Sequence, residues 1–586
     1  MGRQDSQNGS GSDGASPSSP GPWTGNPQAG QASVPPASQQ QPPASQAPRP
    51  AQPSTSSGRP SVPVAAARAA VPAGLSDFRQ PAGQPGAPPR GATGDGVGAA
   101  AAKPKTDSGG RIGAVVVSAV VVLLAIAAVL AVVKPGPVKG WLAFGDVTAA
   151  PTTAAASPDP QPTPVLKAAN ADAPAPTAAG VKAAIGQLVK AKALGSSVNV
   201  SVIDVATNQP LFQQNADAPA TPASTTKLLT AVTVLAARGP AYRLTTHVVA
   251  GSKPGEVVLI GGGDPTMAVN GTGQFPGAAR LDKLAAQVKK ALGGTKPTKV
   301  IIDTSLFSGP TTGVGWISGM ISPQGQVAAI QSLMTNAGRI TPVHHEVGAD
   351  PRYSDPAMAA GKAFAQQLGV PTSAVSRGKA PAPAAATASA APTGVAPGTE
   401  LGKVQSPPLV QVVDWMLQQS DNVIAESMGR QVALAAGKPA TFDGASQAMI
   451  DKLTELGLPG DEADLYDASG LSRHNGISPT LLTDLLVLAA SGDQPGLSSI
   501  FGGLPVAGWS GTLQSRFVTP SPNKVGQGVV RAKTGSLSGV NTMAGELITK
   551  DGRLLVFALM ADRTGETGAA RQAIDKIAAR LVQCGC

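Results

Sequence analysis

The sequence is poor in the residues that most often build metal sites, disulfide frameworks and stacking surfaces. Its 586 residues include only two cysteines and four histidines, and 3% are aromatic. Two cysteines cannot by themselves form a four-ligand zinc centre. Cys584 and Cys586 stand as "CGC" at the end of the chain, where a strained local disulfide or a frayed terminal pair is expected rather than a framework. Basic runs interleaved with aromatics are missing as well, so nucleic acid is not an expected partner. The formal charge of +10 is spread out, with 9 Lys+Arg against 5 Asp+Glu before residue 112 and 36 against 30 after it. A mildly basic exterior of this kind suits an anionic cell surface or simply solubility.

Glycine and proline are abundant, at 70 and 55 residues, and they are unevenly placed. Residues 1–111 are dominated by Pro, Gly, Ser and Gln. Such a segment buries too little apolar surface to offset its chain entropy, and a disordered tail is expected. Ile112 to Val133 is a run of 22 residues without a charge. About 20 apolar residues suffice for a helix to cross a bilayer, and a run this far from the N-terminus does not fit a cleaved signal peptide. Lys103, Lys105 and Arg111 precede it and Lys134 and Lys139 follow. That slight bias, with more than 400 residues following the run, leads to an expected single-pass type II protein with a cytoplasmic tail and an extracytoplasmic domain.

Residues 134–175 read as an extended Pro/Ala/Thr-rich linker. Folded structure is expected over 176–240 and 400–586, with an inserted unit at 241–399 that includes the low-complexity stretch 378–399. "VKAAIGQLVKAKALG" has helical spacing and "VNVSVIDV" alternates as a strand. "PASTTKLLTAVTVLAARG" reads as an apolar-faced helix closing at Gly239. "VVRAKTGSLSGVNTMAGELI" and "LLVFALMA" read as strands of a hairpin around the Asp-Gly of "TKDGR", followed by a helix. The expected class is α/β (α+β), helices packed on an antiparallel sheet.

Ser224 and Lys227, in "STTK", lie three residues apart at the opening of a helix, a spacing that puts both side chains on one face. A serine needs a neighbouring base to become a nucleophile. A lysine desolvated and crowded by a second cation such as Lys533 would have its pKa lowered enough to serve. A serine–lysine pair at this spacing is common, and a second occurs at Ser521 and Lys524 in "SPNK". There a proline lies inside the spacing and the surround is loop-like, so that pair is rejected. Two companions distinguish the first: "SDN" at Ser420 to Asn422, inside helical sequence, and "KTG" at Lys533 to Gly535, on a terminal strand.

This ordered trio is that of serine β-lactamases and penicillin-binding proteins. The chain resembles the low-molecular-mass class C penicillin-binding proteins, the D-alanyl-D-alanine carboxypeptidase/endopeptidases of peptidase family S13. The resemblance runs from about residue 176 to the C-terminus. It extends to "GGGDPT" at Gly261–Thr266, "DASGLSRHNGISP" at Asp467–Pro479 and "GTLQSRF" at Gly511–Phe517. The separation of 196 positions from Ser224 to Ser420 matches this family's habit of inserting extra domains between its first and second motifs. "DASG" stands where the family usually has Asp-Gly-Ser-Gly, and "MADRTG" where it usually has Ser-Asn near the final strand.

The resemblance implies a penicillin-binding/β-lactamase-like transpeptidase fold and a set of roles. Ser224 would attack the carbonyl between two D-alanines and Lys227 would accept its proton. Ser420 would relay a proton to the leaving amine, with Lys533 beside it. Asn422 would hold the substrate's peptide bond and Thr534 its terminal carboxylate. Backbone N–H groups of Ser224 and Ser536 would form the oxyanion hole, Gly535 and Ser536 would belong to the substrate-binding set, and Asp421 would be structural. It also implies peptidoglycan stem peptides as substrates, with DD-endopeptidase action as a second activity, β-lactams as covalent inhibitors and no cofactor. A β-lactamase and a non-catalytic cell-wall scaffold or sensor on the same fold are the alternatives. Three further stretches are set aside. "VHHEV", with His344, His345 and Glu346, reads as a strand whose neighbours point to opposite faces, so no metal is expected there. "GGGDP" lacks the lysine and helix of a P-loop, and "GWSGT" lacks the spacing of a nucleophile elbow.

Overall fold

The computed structural model describes residues 169–345, 349–382, 395–494 and 496–586. The expected tail, the span over 112–133 and the linker as far as residue 168 lie outside them. No helix among the described residues is long and apolar enough to cross a membrane.

The described residues open with helix α1 (Ala178–Ile185), strands β1 (Ser197–Asp204) and β2 (Gln209–Gln214), and helix α2 (Thr226–Arg238). It continues through β3 (Thr245–Ala250), β4 (Glu256–Ile260), α3 (Leu281–Ala291), β5 (Lys299–Asp303), α4 (Pro356–Leu368), β6 (Val375–Arg377) and β7 (Glu400–Gln405). Helices α5 (Leu409–Gln419), α6 (Asn422–Ala435) and α7 (Phe442–Glu455) follow, then the short ribbon β8 (Ala463–Asp464) and β9 (Gly476–Ile477), and helices α8 (Pro479–Ser491) and α9 (Ile500–Gly503). Strands β10 (Arg531–Leu537), β11 (Val540–Ile548) and β12 (Leu554–Asp562) and helix α10 (Thr567–Val582) close it.

Strands from the two ends of the described chain build one antiparallel sheet in the order β10-β11-β12-β1-β2. Successive residues of a strand face opposite sides, and β12 uses both. Leu555, Phe557, Leu559 and Ala561 pack into the core beneath α1 and α10, whereas Val556, Ala558 and Met560 join the helical core on the other side. Two buried faces explain why "LLVFALMA" reads as continuously apolar. At the centre of the helical side lies α2, with Leu228, Leu229, Ala231, Val232, Val234 and Leu235 all essentially buried. A helix apolar on every side must be covered on every side, and α5, α6, α7 and α8 pack around it.

The second sheet has the order β6-β5-β4-β3-β7. It is mixed: β3 pairs antiparallel with β4 and β7, while β4–β5 and β5–β6 are parallel. Parallel neighbours need long crossovers, and α3 and α4 lie in those connections and cover the sheet. Residues Glu400–Gln405, assigned from sequence to the peptidase part, pair instead with β3.

Other departures have local causes. "VVRAKTGSLSGVNTMAGELI" is not one strand but two, β10 and β11, folded back at Ser538 and Gly539. The α1 helix ends at Ile185, and two single 3₁₀ turns carry the chain to Leu194. "SPNK" begins a short 3₁₀ helix, Ser521–Gly526. "VHHEV" is not a strand in its described part: His344 and His345 lie in a loop, and Glu346 is outside the described residues. Cys584 and Cys586 form a disulfide. Far from fraying, Cys584 is buried in the core beneath α10 and Thr177 Oγ1 donates to the Cys586 carbonyl at 2.8 Å.

Candidate active site

Ser224 sits in the 3₁₀ turn Ala223–Thr225 that leads directly into α2. The turn is held from two sides. Gly470 comes so near, at φ +80°, that a Cβ there would fall 1.8 Å from the Ala223 carbonyl oxygen. Gly535 also lies close, with a notional Cβ 2.7 Å from the Pro222 oxygen, while Thr542 Oγ1 donates to that same oxygen at 2.8 Å. Glycine at both positions is therefore a packing requirement of the turn that carries Ser224.

One helical turn on, Lys227 is completely buried. Its Nζ donates to Ser224 Oγ at 2.9 Å, Asn422 Oδ1 at 2.7 Å and the Ser469 carbonyl at 2.6 Å. Those three acceptors come from three distant segments and use all three ammonium donors. Burial lowers the Lys227 pKa to about 8, against the carboxylates of Asp467, Glu426 and Asp421, which favour the charged form. Lys533, also fully buried, donates to the Thr534 carbonyl at 2.8 Å. Burial, and then the charge of Lys227, hold its pKa well below the usual lysine value.

The second motif does not lie inside a helix. Ser420 ends α5 in the left-handed region at φ +54°, and Asp421 caps the next helix by accepting from the Val423 and Ile424 amides at 2.9 and 3.0 Å. The break turns the Ser420 and Asn422 positions toward the cleft, which an unbroken helix would not do with residues two apart. Asn422 is fixed at both ends, since its Nδ2 donates to the Gln326 carbonyl at 2.9 Å. Asp421 also meets Arg339 at 2.8 Å, and Arg339 in turn donates to Asp350 at 2.7 Å. All three side chains are buried.

A cleft of about 420 Å³ opens over these groups, lined by Ser224, Ser420, Asn422, Thr534 and Ser536. Lys227 and Lys533 are buried behind this lining, bonded to Ser224 and to the Thr534 carbonyl, and Gly535 is packed against the turn that carries Ser224. The eight residues expected from sequence thus converge on one place. Other participants were not expected individually. The loop from 320 to 352, within the stretch read as inserted, supplies the wall formed by Gln326, Arg339, His344 and Arg352. Ser469 contributes only a backbone carbonyl, which any residue type could offer. Thr512 bonds Thr534 hydroxyl to hydroxyl at 2.7 Å, and the family-like "GTLQSRF" was the available pointer to it. His344 Nδ1 accepts from Arg339 at 3.0 Å, and His345 Nδ1 meets Asp350 at 2.7 Å. No group of three or more metal-ligating side chains occurs among the described residues.

Antiparallel sheet, buried central helix and cleft are together those of a penicillin-binding, β-lactamase-like protein. Penicillin-binding protein 4 of Haemophilus influenzae has this fold, with a TM-score of 0.54 at 23% identity over 68% of this chain and 98% of that one. A profile of the D-Ala-D-Ala carboxypeptidase 3 (S13) family matches residues 181–381 and 345–582. A carboxypeptidase of Mycobacterium tuberculosis is 39% identical over 416 residues, 70% of this chain and 85% of that protein. Carboxypeptidase DacB of Mycolicibacterium smegmatis is 38% identical over 415 residues, with the same coverage. The chain belongs to the D-Ala-D-Ala carboxypeptidase 3 (S13) family and is a hydrolase of that type.

Burial opposes ionisation of Asp421, but the Arg339 and Arg352 charges and the Ile424 amide hold its pKa down to about 2. An unfolded aspartate titrates near 3.9. The ion pair therefore contributes in full above about pH 4 and is lost as pH falls toward about 2. Asp421→Asn keeps the cap oxygen and leaves Arg339 underpaired, so it should destabilise the fold by about 3 kcal/mol at pH 7. Melting curves of the two proteins should converge between about pH 4 and pH 2; a difference independent of pH would contradict this assignment.

Proposed function

We propose that the protein is a membrane-anchored serine-type D-Ala-D-Ala carboxypeptidase that trims peptidoglycan stem peptides through an acyl-enzyme on Ser224. The observation that carries this reading is the 2.9 Å hydrogen bond from a fully buried lysine amine to the Ser224 hydroxyl. In its neutral form Lys227 takes the Ser224 proton as Oγ bonds to the carbonyl carbon between the two D-alanines. The resulting oxyanion faces the backbone N–H groups of Ser224 and Ser536, donors fixed before charge develops. The C–N bond then breaks, and Ser420, with Lys533 beside it, passes a proton to the departing D-alanine amine. Asn422 holds the peptide bond and Thr534 the terminal carboxylate, with Gly535 keeping β10 close to the nucleophile. Water attacks the ester, returns a proton to Ser224 and releases the shortened peptide.

The same acyl transfer on a cross-linked stem peptide makes DD-endopeptidase action a second activity of this site. β-Lactams present a strained amide to the same serine and act as covalent inhibitors. Anchoring rests on the uncharged run from Ile112 to Val133, which is long enough to span a bilayer once, with the catalytic part on the extracytoplasmic side. Flotation of the full chain with lipid vesicles, abolished by deletion of 112–133, is the expected result; unchanged flotation would contradict the anchor.

The catalytic reading is tested by the intact mass of the full chain after incubation with benzylpenicillin. A persistent adduct of one penicillin is expected in the wild type and none in Ser224→Ala. Release of D-alanine from a pentapeptide should fall at least about a thousandfold in that variant. Penicillin consumed without a lasting adduct would identify a β-lactamase instead. Neither adduct nor consumption would leave a cell-wall scaffold.

A further inference from the structure

A second carboxylate system lies on the far side of Lys227 from Ser224, and none of the steps above uses it. Glu426 is fully buried on α6, one turn after Asn422, and residues four apart share a helix face. Its Oε1 accepts at 3.2 Å from the amide of Ala468, the chain neighbour of Ser469. Ser469 is the residue whose carbonyl accepts from Lys227 Nζ at 2.6 Å. The loop it belongs to is wound around Asp467, which accepts from the amides of Ser469, Gly470 and Ser472 at 3.2, 2.7 and 2.6 Å. Asn475 Nδ2 and Trp316 Nε1 donate to the same carboxylate at 2.7 and 2.8 Å.

We propose that Glu426 is a positioning residue for acylation: with Asp467 it fixes the Ser469 carbonyl on the Lys227 ammonium, and its negative charge sets the pH at which Lys227 becomes a base. This inference rests on Lys227 acting as the proton acceptor. Four charged side chains face Lys227, from every element packed on it: Asp467 from the loop after β8, Glu426 from α6, Asp421 at the head of α6, and Lys533 from β10. Asp421 is held by Arg339, and five donors hold the Asp467 side chain in place. Glu426 differs from both. Arg430 stands 3.5 Å from it and stacks on the Phe442 ring at 4.1 Å. Burial and the nearby Asp467 push its carboxyl up to about 7. Glu426 is thus the member of the group whose charge changes close to the range in which Lys227 titrates. While ionised it retains the lysine proton; when neutral it releases that hold.

A purely structural Glu426, paired with Arg430, would leave the protonation of Lys227 alone. The acylation rate of the full chain by a fluorescent penicillin, followed against pH, separates the two. In the wild type the rate should fall on the acid side with a midpoint near the Lys227 value. Glu426→Gln retains an acceptor for the Ala468 amide but removes the charge, and its acid limb should move to lower pH by about one unit. Glu426→Asp keeps the charge on a shorter stem, so its maximal rate should drop while the limb stays where it is. An unmoved or upward-shifted limb in Glu426→Gln overturns the proposal. Should that variant not fold, Asp467→Asn removes another of the three carboxylates facing the lysine and must shift the limb in the same direction, or the proposal is overturned. Lys227→Ala is measured alongside. Acylation retained in Lys227→Ala would sink the base assignment itself, whereas acylation lost there with no shift in Glu426→Gln would sink only the role of Glu426.

Discussion

A lysine amine stripped of water, with three protein oxygens in place of its hydration shell, is the constraint on which the rest of the site depends. Removing an ammonium from water costs several kcal/mol even after the protein relaxes around it. The hydrogen bonds to Ser224, Asn422 and Ser469 offset that cost only while all three acceptors stay in register. Each belongs to a different stretch of chain, so the lysine acts as the point at which the first motif, the second motif and the loop of residues 467–475 are locked together. The same dehydration that makes the arrangement demanding also moves the amine toward neutrality. Structural cost and chemical usefulness have one origin.

The architecture serves that lock. The antiparallel sheet joins the first strands of the described chain to the last through β1 and β12, and this places β10, with Lys533 and Thr534, against the turn that carries Ser224. Two glycines allow backbones to approach where a Cβ would collide. The loop from 320 to 352 departs from the mixed sheet region and returns to the cleft, where Gln326 fixes Asn422 and Arg339 fixes Asp421. The stretch between the first and second motifs is therefore part of the catalytic frame as well as an addition to it.

Much of this was legible in the sequence, for identifiable reasons. Ser224 and Lys227 could be paired because helical spacing alone places them together, and the Asp-Gly turn between β11 and β12 announced itself through its chemistry. Strand β1 followed from plain alternation in its sequence. Backbone contributions were invisible: nothing in the identity of Ser469 or Gln326 marks a carbonyl that a lysine or an amide will use. The break at Ser420 was hidden because apolar residues keep helical spacing on both sides of it, and only the left-handed backbone at that one position separates α5 from α6. The hairpin at Ser538 and Gly539 was missed because its first arm, Arg531–Leu537, is mostly polar and shows no clear alternation to set it apart from the second. Arg339 and Asp421 lie far apart in the chain, and charge pairing over such distances leaves no local trace.

The protonation state of Lys227 in the resting enzyme tests the central claim most directly. With lysine labelled at 13Cε in the full chain, the Lys227 signal, assigned by its loss in Lys227→Ala, can be followed through a pH titration. A midpoint near 8 is expected for an amine lowered by burial and poised as a base. A midpoint at or above about 10.4, the ordinary value for lysine, would mean that the buried amine remains a fixed cation and that Ser224 must lose its proton elsewhere.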